Sequence, residues 1–199
     1  ILVSSHDPKR LYFGSQRVWK SSDRGDSWTP ISKDLTKNEE RLSLPIMGKQ
    51  QSWDSAWDVY AMSTYNTITS LSESVLNQNI LYAGTDDGLI HYTKDGGSSW
   101  TSITVDKLPG VPNSSFVNDI KADLHNDQVA YVVLDNHKFG DYSPYLYKTS
   151  NGGKSWKPII DGLPEDNFVW RIVQDHVDPK DEEHTSELQS PLWISYAVF

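Results

Sequence analysis

The sequence of 199 residues contains no cysteine, only two methionines and no long run of apolar residues. The lack of cysteine excludes disulfides and metal sites with thiolate ligands. No segment approaches the roughly 18 consecutive apolar residues of a membrane-spanning helix, so we expect no membrane span. Basic residues are also few, since 18 Lys and Arg stand against 27 Asp and Glu, giving a net charge of −9. We therefore expect no nucleic-acid ligand, because such a ligand needs a basic surface.

What the sequence does contain is an octet that occurs three times, which we call the octet turns. A Ser or Thr is followed by Asp or Asn two positions later, Gly four positions later and Trp seven positions later. Asp or Asn can accept backbone N–H groups within a turn, and Gly permits a positive φ. Trp starts the next strand, and we expect its large apolar ring to be buried. We expect a purely structural role for these residues: Ser21, Asp23, Gly25 and Trp28; Thr93, Asp95, Gly97 and Trp100; Thr149, Asn151, Gly153 and Trp156.

Alternating apolar residues on both sides of the octet turns predict repeated antiparallel meanders of four strands, A to D. The predicted units cover residues 1–31, 67–104 and 117–160, and a further unit begins at 169–180. Residues 31–66 are a long insertion between the first two units, in which a short helix near 52–61 is an open alternative.

The octet turns resemble the Asp-box, or BNR repeat, of β-propeller proteins. Other stretches are similar to large bacterial propeller proteins that are described as glycosyl-hydrolase-like or sortilin-like. They include Ser32–Thr36, Gly84–Ile90, Asp135–Lys138 and Asp175–Pro179. The resemblance covers residues 1 to about 180. It implies an all-β β-propeller fragment of about three four-stranded antiparallel blades, whose ring is not closed.

Two functions are implied by this resemblance. One is a glycosyl-hydrolase-like protein that acts on or binds polysaccharide, and the other is a non-catalytic, sortilin-like propeller that binds proteins or peptides. No catalytic pair of carboxylates is identifiable in the sequence, so a glycoside hydrolase activity is left undecided. We expect no cofactor and no metal, a secreted or periplasmic location, and the remaining blades of a longer propeller as a further partner.

The order of strands in such a blade predicts which face binds a ligand. The A–B and C–D turns lie on one face, and the B–C and D–A connections lie on the other, where the long loops fall. The candidate ligand-binding residues are Trp53, Asp54, Trp57 and Asp58 in the insertion, and His137 and Asp141 in the predicted B–C loop 135–143. The aromatic residues suit stacking on sugar rings, but they also suit a core that holds the insertion in place. The loop 135–143 suits a solvated, self-capped loop better than a binding loop.

The last residues, 181–199, lack the rhythm of strands and turns seen upstream. Segments 182–190 and 194–199 resemble the conceptual translation of a sequencing-library adapter. We therefore interpret 181–199 as a non-native tail, and expect it to make few contacts and no strand of a blade.

Overall fold

The computed structural model describes residues 1–40, 44–46, 49–50, 65–175 and 196–198. In those ranges the regular structure is β-strand, with two short 3₁₀ turns at Val105–Lys107 and His137–Phe139. The same ranges contain no helix long and apolar enough to cross a membrane. The predicted helix near 52–61 lies outside the described residues.

The strands form three four-stranded antiparallel sheets in which each strand pairs with its neighbour in sequence. The first sheet contains β1 (Leu2–Val3), β2 (Leu11–Gly14), β3 (Val18–Ser21) and β4 (Thr29–Pro30). A separate hairpin follows, with β5 (Pro45–Ile46) and β6 (Lys49–Gln50). The second sheet contains β7 (Ile68–Glu73), β8 (Leu81–Thr85), β9 (Leu89–Thr93) and β10 (Thr101–Thr104).

The third sheet contains β11 (Phe116–Ala122), β12 (Ala130–Asn136), β13 (Asp141–Thr149) and β14 (Lys157–Pro158). A fourth begins with β15 (Arg171–Val173), which pairs with β16 (Tyr196–Val198). The first strand β7 packs against the first strand β11 of the next sheet, and β11 packs likewise against β15, whereas in the first sheet it is β2 that contacts β7. The predicted blades of an all-β propeller are therefore confirmed, and the described sheets do not close into a ring.

Apolar side chains fill the space between successive blades. Tyr12, Val18, Ile68 and Ala83 belong to the core between the first and second blades. A larger core separates the second blade from the third, and a smaller one packs the third blade against β15. The blades are thus held face to face by burial of apolar surface, the dominant favourable term in folding.

The three octet turns have the same hydrogen bonds. Oδ1 of Asp23, Asp95 and Asn151 accepts the backbone N–H four residues later, at 2.9, 2.8 and 3.0 Å respectively. The hydroxyl oxygen that opens each octet accepts the N–H of its Gly at 2.8, 3.0 and 3.0 Å. Hydrogen bonds from the Ser side chain and backbone four residues later lower the pKa of Asp23 and of Asp95 to about 2. Their stabilising effect is therefore present above pH 4 and is lost as the pH falls towards 2.

The tryptophans of the octet turns differ in burial. Trp156 is 6% exposed, and Trp100 donates its indole N–H to the carbonyl of Ile31 in the preceding blade at 2.9 Å. Trp28 is 36% exposed, packs edge-on against Phe13 and donates to Gly25 in its own turn. The expectation of a buried ring is wrong for Trp28, because no described sheet precedes the first blade and covers it.

A polar clasp joins the first blade to the second. The carboxylate of Glu73, at the end of β7, is 7% exposed. It accepts hydrogen bonds from the Ser4 hydroxyl at 2.7 Å, the Ser5 N–H at 3.0 Å and the Tyr12 hydroxyl at 3.0 Å. Three donors of one blade are therefore satisfied by one carboxylate of the next.

The equivalent position after β15 is Gln174, which forms the clasp between the third blade and the fourth. Its side chain accepts the Leu124 N–H at 2.8 Å and donates to Asp123 at 2.7 Å, while the Tyr131 hydroxyl also donates to Asp123. Between the second and third blades the position is Ala122, and the buried Tyr82 hydroxyl has no hydrogen-bond partner among the described residues. The clasp is therefore present at two of the three interfaces.

The structure also bears on the expected tail. Tyr196–Val198 forms β16, which pairs with β15, whereas the expectation for 182–199 was that it forms no strand of a blade. The pairing with β15 is parallel, whereas each blade is an antiparallel meander. Hence β16 does not take the place of a second strand of the fourth blade.

Candidate ligand-binding face

The B–C hairpin of the third blade is tighter than predicted. Strand β12 continues to Asn136, which pairs with Asp141 at the start of β13. Only 137–140 form the turn, which ends at Gly140 with a φ of 79°. The predicted loop 135–143 is therefore wrong in length, because strand pairing extends past Asp135 and absorbs both ends of the loop.

Five aromatic rings, which we call the aromatic surface, lie together beside this hairpin. They are Phe116, His137, Tyr142, Phe168 and Trp170. The His137 ring stacks on Phe168 at a centroid distance of 5.5 Å, and Trp170 meets Phe168 edge-on at 5.9 Å. Phe116 packs edge-on against His137 at 6.1 Å, and Tyr142 lies 6.2 Å from Phe168. Tyr142 and Trp170 are 46% and 40% exposed, so the cluster offers aromatic carbon to a ligand.

His137 is held in this cluster by a buried carboxylate. Asp135 is 0% exposed, and its Oδ1 accepts the backbone N–H of His137 at 2.8 Å. Its Oδ2 contacts Nδ1 of the imidazole. The buried Asp135 therefore fixes the orientation of the imidazole ring, while 34% of the His137 side chain is exposed.

Asp141, the other candidate that the structure describes, braces the hairpin. It accepts hydrogen bonds from the Tyr145 hydroxyl at 2.7 Å, the Asn136 amide at 3.1 Å and the Ser143 N–H at 3.1 Å. Partial burial acts to raise the pKa of Asp141, but hydrogen bonds from Asn136 and Tyr145 outweigh it and lower the pKa. Its carboxylate is thus already satisfied, and its role here is to hold the turn that carries His137.

Two adjacent carboxylates on the β8–β9 hairpin hold both ends of the insertion. Oδ1 of Asp86 accepts the Thr67 N–H at 2.8 Å, and Oδ2 of Asp87 accepts the Lys37 N–H at 2.5 Å. Asn66 closes the base of the insertion through two hydrogen bonds with the Glu39 backbone. The insertion therefore starts and ends on the candidate face, although Trp53, Asp54, Trp57 and Asp58 lie outside the described residues.

Asp86→Asn is expected to change the pH dependence of stability. Burial raises the pKa of Asp86 from its ordinary 3.8 to about 6. The folded protein therefore binds this proton more tightly than the unfolded chain, and stability falls as the pH rises from about 4 to 6. Asparagine keeps an acceptor for Thr67 and buries no charge. After allowing for solvent screening, we expect the variant to gain about 1 kcal/mol at pH 7.5.

Urea denaturation at pH 4, 6 and 7.5 measures this effect. The gain in the free energy of unfolding should appear at pH 7.5 and vanish at pH 4. The control is Asp161→Asn at an exposed position, whose stability should equal that of the wild type at all three pH values. A gain of the same size at all three pH values would contradict the assignment to Asp86.

The residues that sequence reasoning missed are Phe116, Tyr142, Phe168 and Trp170. A comparison of corresponding positions in the repeats could have identified Trp170. The pairing of β7 with β8 shifts register between Ile68 and Ser70, and that of β11 with β12 shifts between Val117 and Asp119. Such bulges re-aim side chains next to binding sites. The position corresponding to Thr69 and Asn118 in the next unit is Trp170, where an aromatic replaces a polar residue.

A concave region lies between the first and second blades, with a volume of about 860 Å³. The segment 30–36 covers it, and His91 in β9 lies at its floor with 4% exposure. Burial lowers the pKa of His91, and the nearby backbone carbonyl of Leu35 opposes this. Both ring nitrogens lie beneath the surface, so this groove offers a ligand no exposed imidazole nitrogen.

No cluster of His, Asp or Glu in the described ranges could hold a metal ion. The expected absence of a metal and of a cofactor remains a prediction. The candidate face instead combines exposed aromatic rings with a few oriented polar groups.

No protein-family model and no curated protein matches the sequence. The chain is similar to a crystal structure of an ancestral GH74 enzyme, with a TM-score of 0.52 and 16% identity over 79% of this chain and 17% of that one. It also matches YCF48 bound to D1 peptide, with a TM-score of 0.46 and 21% identity over 76% of this chain and 36% of that one.

A third match is the GH74 xyloglucanase from Xanthomonas campestris, with a TM-score of 0.36 and 15% identity over 96% of this chain and 32% of that one. The chain spans only 17% to 36% of the length of these three structures. At these identities the likeness shows the fold alone, and the last two TM-scores are too low to carry an argument. The sheets and the match to the ancestral enzyme together place the chain among the β-propellers.

Proposed function

We propose that the candidate face binds polysaccharide, with the aromatic surface stacking on sugar rings. The observation that carries this proposal is the exposure of Tyr142 and Trp170 around the half-buried Phe168. A pyranose ring has an apolar C–H face that can cover an aromatic ring and hydroxyl groups that need polar partners. Binding sites for such ligands combine aromatic walls with a few placed polar groups.

Polar groups of the required kind border the aromatic surface. The imidazole of His137 belongs to the cluster itself, and Nζ of Lys138 lies 4.8 Å from the centre of the Phe116 ring. These groups can donate to or accept from hydroxyls along one edge of a bound sugar.

We propose binding, rather than hydrolysis, as the activity of the described residues. Glycoside hydrolysis needs two carboxyl groups about 5 to 9.5 Å apart, one acting as acid and one as base or nucleophile. Beside the aromatic surface, Asp135 is buried beneath His137 and Asp141 already accepts three hydrogen bonds. Neither is free to act on a substrate, and an active polysaccharide hydrolase would need carboxylates from elsewhere.

Trp170→Ala is expected to weaken polysaccharide binding about tenfold, because it removes an exposed ring on which a sugar can stack. A tenfold change in affinity corresponds to about 1.4 kcal/mol. The measurement is isothermal titration or affinity electrophoresis with soluble β-glucan, xyloglucan, mannan and chitosan. Trp28→Ala is the matched control, since this ring is similarly exposed but lies at an octet turn on the opposite face.

The same variants distinguish the alternative function. If no glycan binds, and a displayed peptide library yields ligands whose affinity depends on Trp170, the face binds peptides and the proposal is wrong. Equal losses in Trp170→Ala and Trp28→Ala would show a general effect on folding.

Cell-wall polysaccharides such as β-glucan, xyloglucan and mannan lie outside the cytoplasm, and we propose a secreted or periplasmic location on that ground. Fractionation of cells that express the natural gene, with an antibody against this chain, tests the location. Recovery in the cytoplasmic fraction alone would exclude it.

A further inference from the structure

The contact between Asp135 and His137 determines where the imidazole carries its proton. An ionised carboxylate can only accept hydrogen bonds. Since Oδ2 of Asp135 contacts Nδ1, this nitrogen must be the N–H donor of the ring. In a neutral imidazole the other nitrogen, Nε2, is then an acceptor. The buried Asp135 thereby selects the tautomer of a partly exposed histidine.

Nothing among the described residues uses this acceptor. The backbone N–H and Nδ1 of His137 both contact Asp135, and its carbonyl accepts the Gly140 N–H. The ring lies beside Phe168, at 5.5 Å, and Trp170, at 6.3 Å between centroids, and these two rings also contact each other. An exposed lone pair of the imidazole therefore lies inside the aromatic surface, where a stacked ligand would meet it.

Capping of the turn explains the contact of Oδ1 of Asp135 but not that of Oδ2. An Asp at this position commonly accepts a backbone N–H two residues later, and Oδ1 of Asp135 does so. The second oxygen is not needed for that purpose, yet it contacts the imidazole. Complete burial of Asp135 makes this contact more consequential, because a buried carboxylate needs partners for both oxygens.

We propose that Asp135 is a positioning residue that holds His137 with its proton on Nδ1, so that Nε2 accepts a hydrogen bond from a ligand hydroxyl. The inference rests on the proposed polysaccharide binding and adds specificity to it. Sugars with a free hydroxyl beside the stacked ring bind well, and the same sugars with that hydroxyl O-methylated bind poorly, because they lose the donor.

The tautomer can be measured without any ligand. Long-range ¹H–¹⁵N correlation NMR of the full chain distinguishes protonated from unprotonated ring nitrogens. His137 should show a protonated Nδ1 and an unprotonated Nε2. His6 is the internal control with the opposite expectation, because its Nε2 lies 2.8 Å from the carbonyl of Ser74 and must carry the proton. A protonated Nε2 on neutral His137 would overturn the proposal.

Asp135→Asn tests the consequence for specificity. The asparagine keeps Oδ1 for the backbone N–H, but its amide group donates to Nδ1 and moves the ring proton to Nε2. We expect the ratio of affinities for free and O-methylated β-glucan oligosaccharides to be at least fivefold in the wild type and to approach one in the variant. His137→Gln, which keeps a side-chain acceptor, should retain part of the ratio.

The outcomes separate this inference from the proposed function. If oligosaccharides bind but the ratio is unchanged in Asp135→Asn, polysaccharide binding stands and the inference is wrong. If no oligosaccharide binds while the tautomer is as expected, the polysaccharide function fails and the hydroxyl specificity fails with it. A purely structural role would lower stability and leave the ratio unaltered.

Discussion

Gly84→Ala is expected to lower the free energy of unfolding by about 2 to 3 kcal/mol, because it overpacks the interface between the second and third blades. A Cβ atom at this position would lie 2.2 Å from Cγ1 and 2.7 Å from Cβ of Val117. Val117 is fully buried on β11, so it has no room to move away. Glycine at this point of β8 lets the first strand of the next blade approach closely.

Urea denaturation measures the loss. Val117→Ala combined with Gly84→Ala should recover part of it, because the smaller side chain removes the clashing Cγ atoms. Gly110→Ala is a useful comparison, since a Cβ there meets nothing within 4 Å and only its φ of 80° opposes the substitution. If Gly84→Ala lost no more stability than Gly110→Ala, close packing at Val117 would not be the reason for the glycine.

Glu73→Ala is expected to cost about 2 to 4 kcal/mol, because it leaves several buried donors without an acceptor. The side chains of Ser4 and Tyr12 and the backbone N–H of Ser5 all donate to this carboxylate. Burial, reinforced by the adjacent Glu73, raises the pKa of Tyr12 to about 12, so its hydroxyl remains a donor throughout the ordinary pH range.

The matched control is Glu39→Ala, at an exposed position whose hydrogen bonds to Asn66 come from the backbone. A surface substitution of this kind should stay within about 0.5 kcal/mol of the wild type. The stability of Glu73→Gln should lie between those of Glu73→Ala and Glu39→Ala, since an amide oxygen can accept some of the hydrogen bonds of the carboxylate. Equal stability of Glu73→Ala and Glu39→Ala would show that the clasp does not hold the blades together.

Much of the fold could be predicted because its signals are local. The Ser-x-Asp-x-Gly pattern of 21–25 specifies a turn through its own hydrogen bonds, and Asp86-Asp87-Gly88 specifies the hairpin between β8 and β9. Period-two alternation then places the strands on either side. The same locality misled the prediction for 135–143, where polar residues suggested a loop although Asn136 and Asp141 continue the strand pairing.

The candidate site could be predicted only in part, because its residues meet across blades. His137 was identified from its loop, but Phe168 and Trp170 come from the connection to the next blade and Phe116 comes from the first strand of the same blade. No local pattern shows that these rings converge on one imidazole. The burial of Asp135 was equally hidden, since an Asp next to a turn is usually solvated.

The clasps also bear on how a chain of similar repeats assembles in the right order. Glu73 fits a neighbour that offers the hydroxyls of Ser4 and Tyr12, whereas Gln174 fits one that offers the carboxylate of Asp123. Docking the second blade behind the third would bury Glu73 against Asp123, two like charges without a shared donor. The second blade thus disfavours the third as its predecessor, and the order of these two blades is favoured by buried side chains that lie between them.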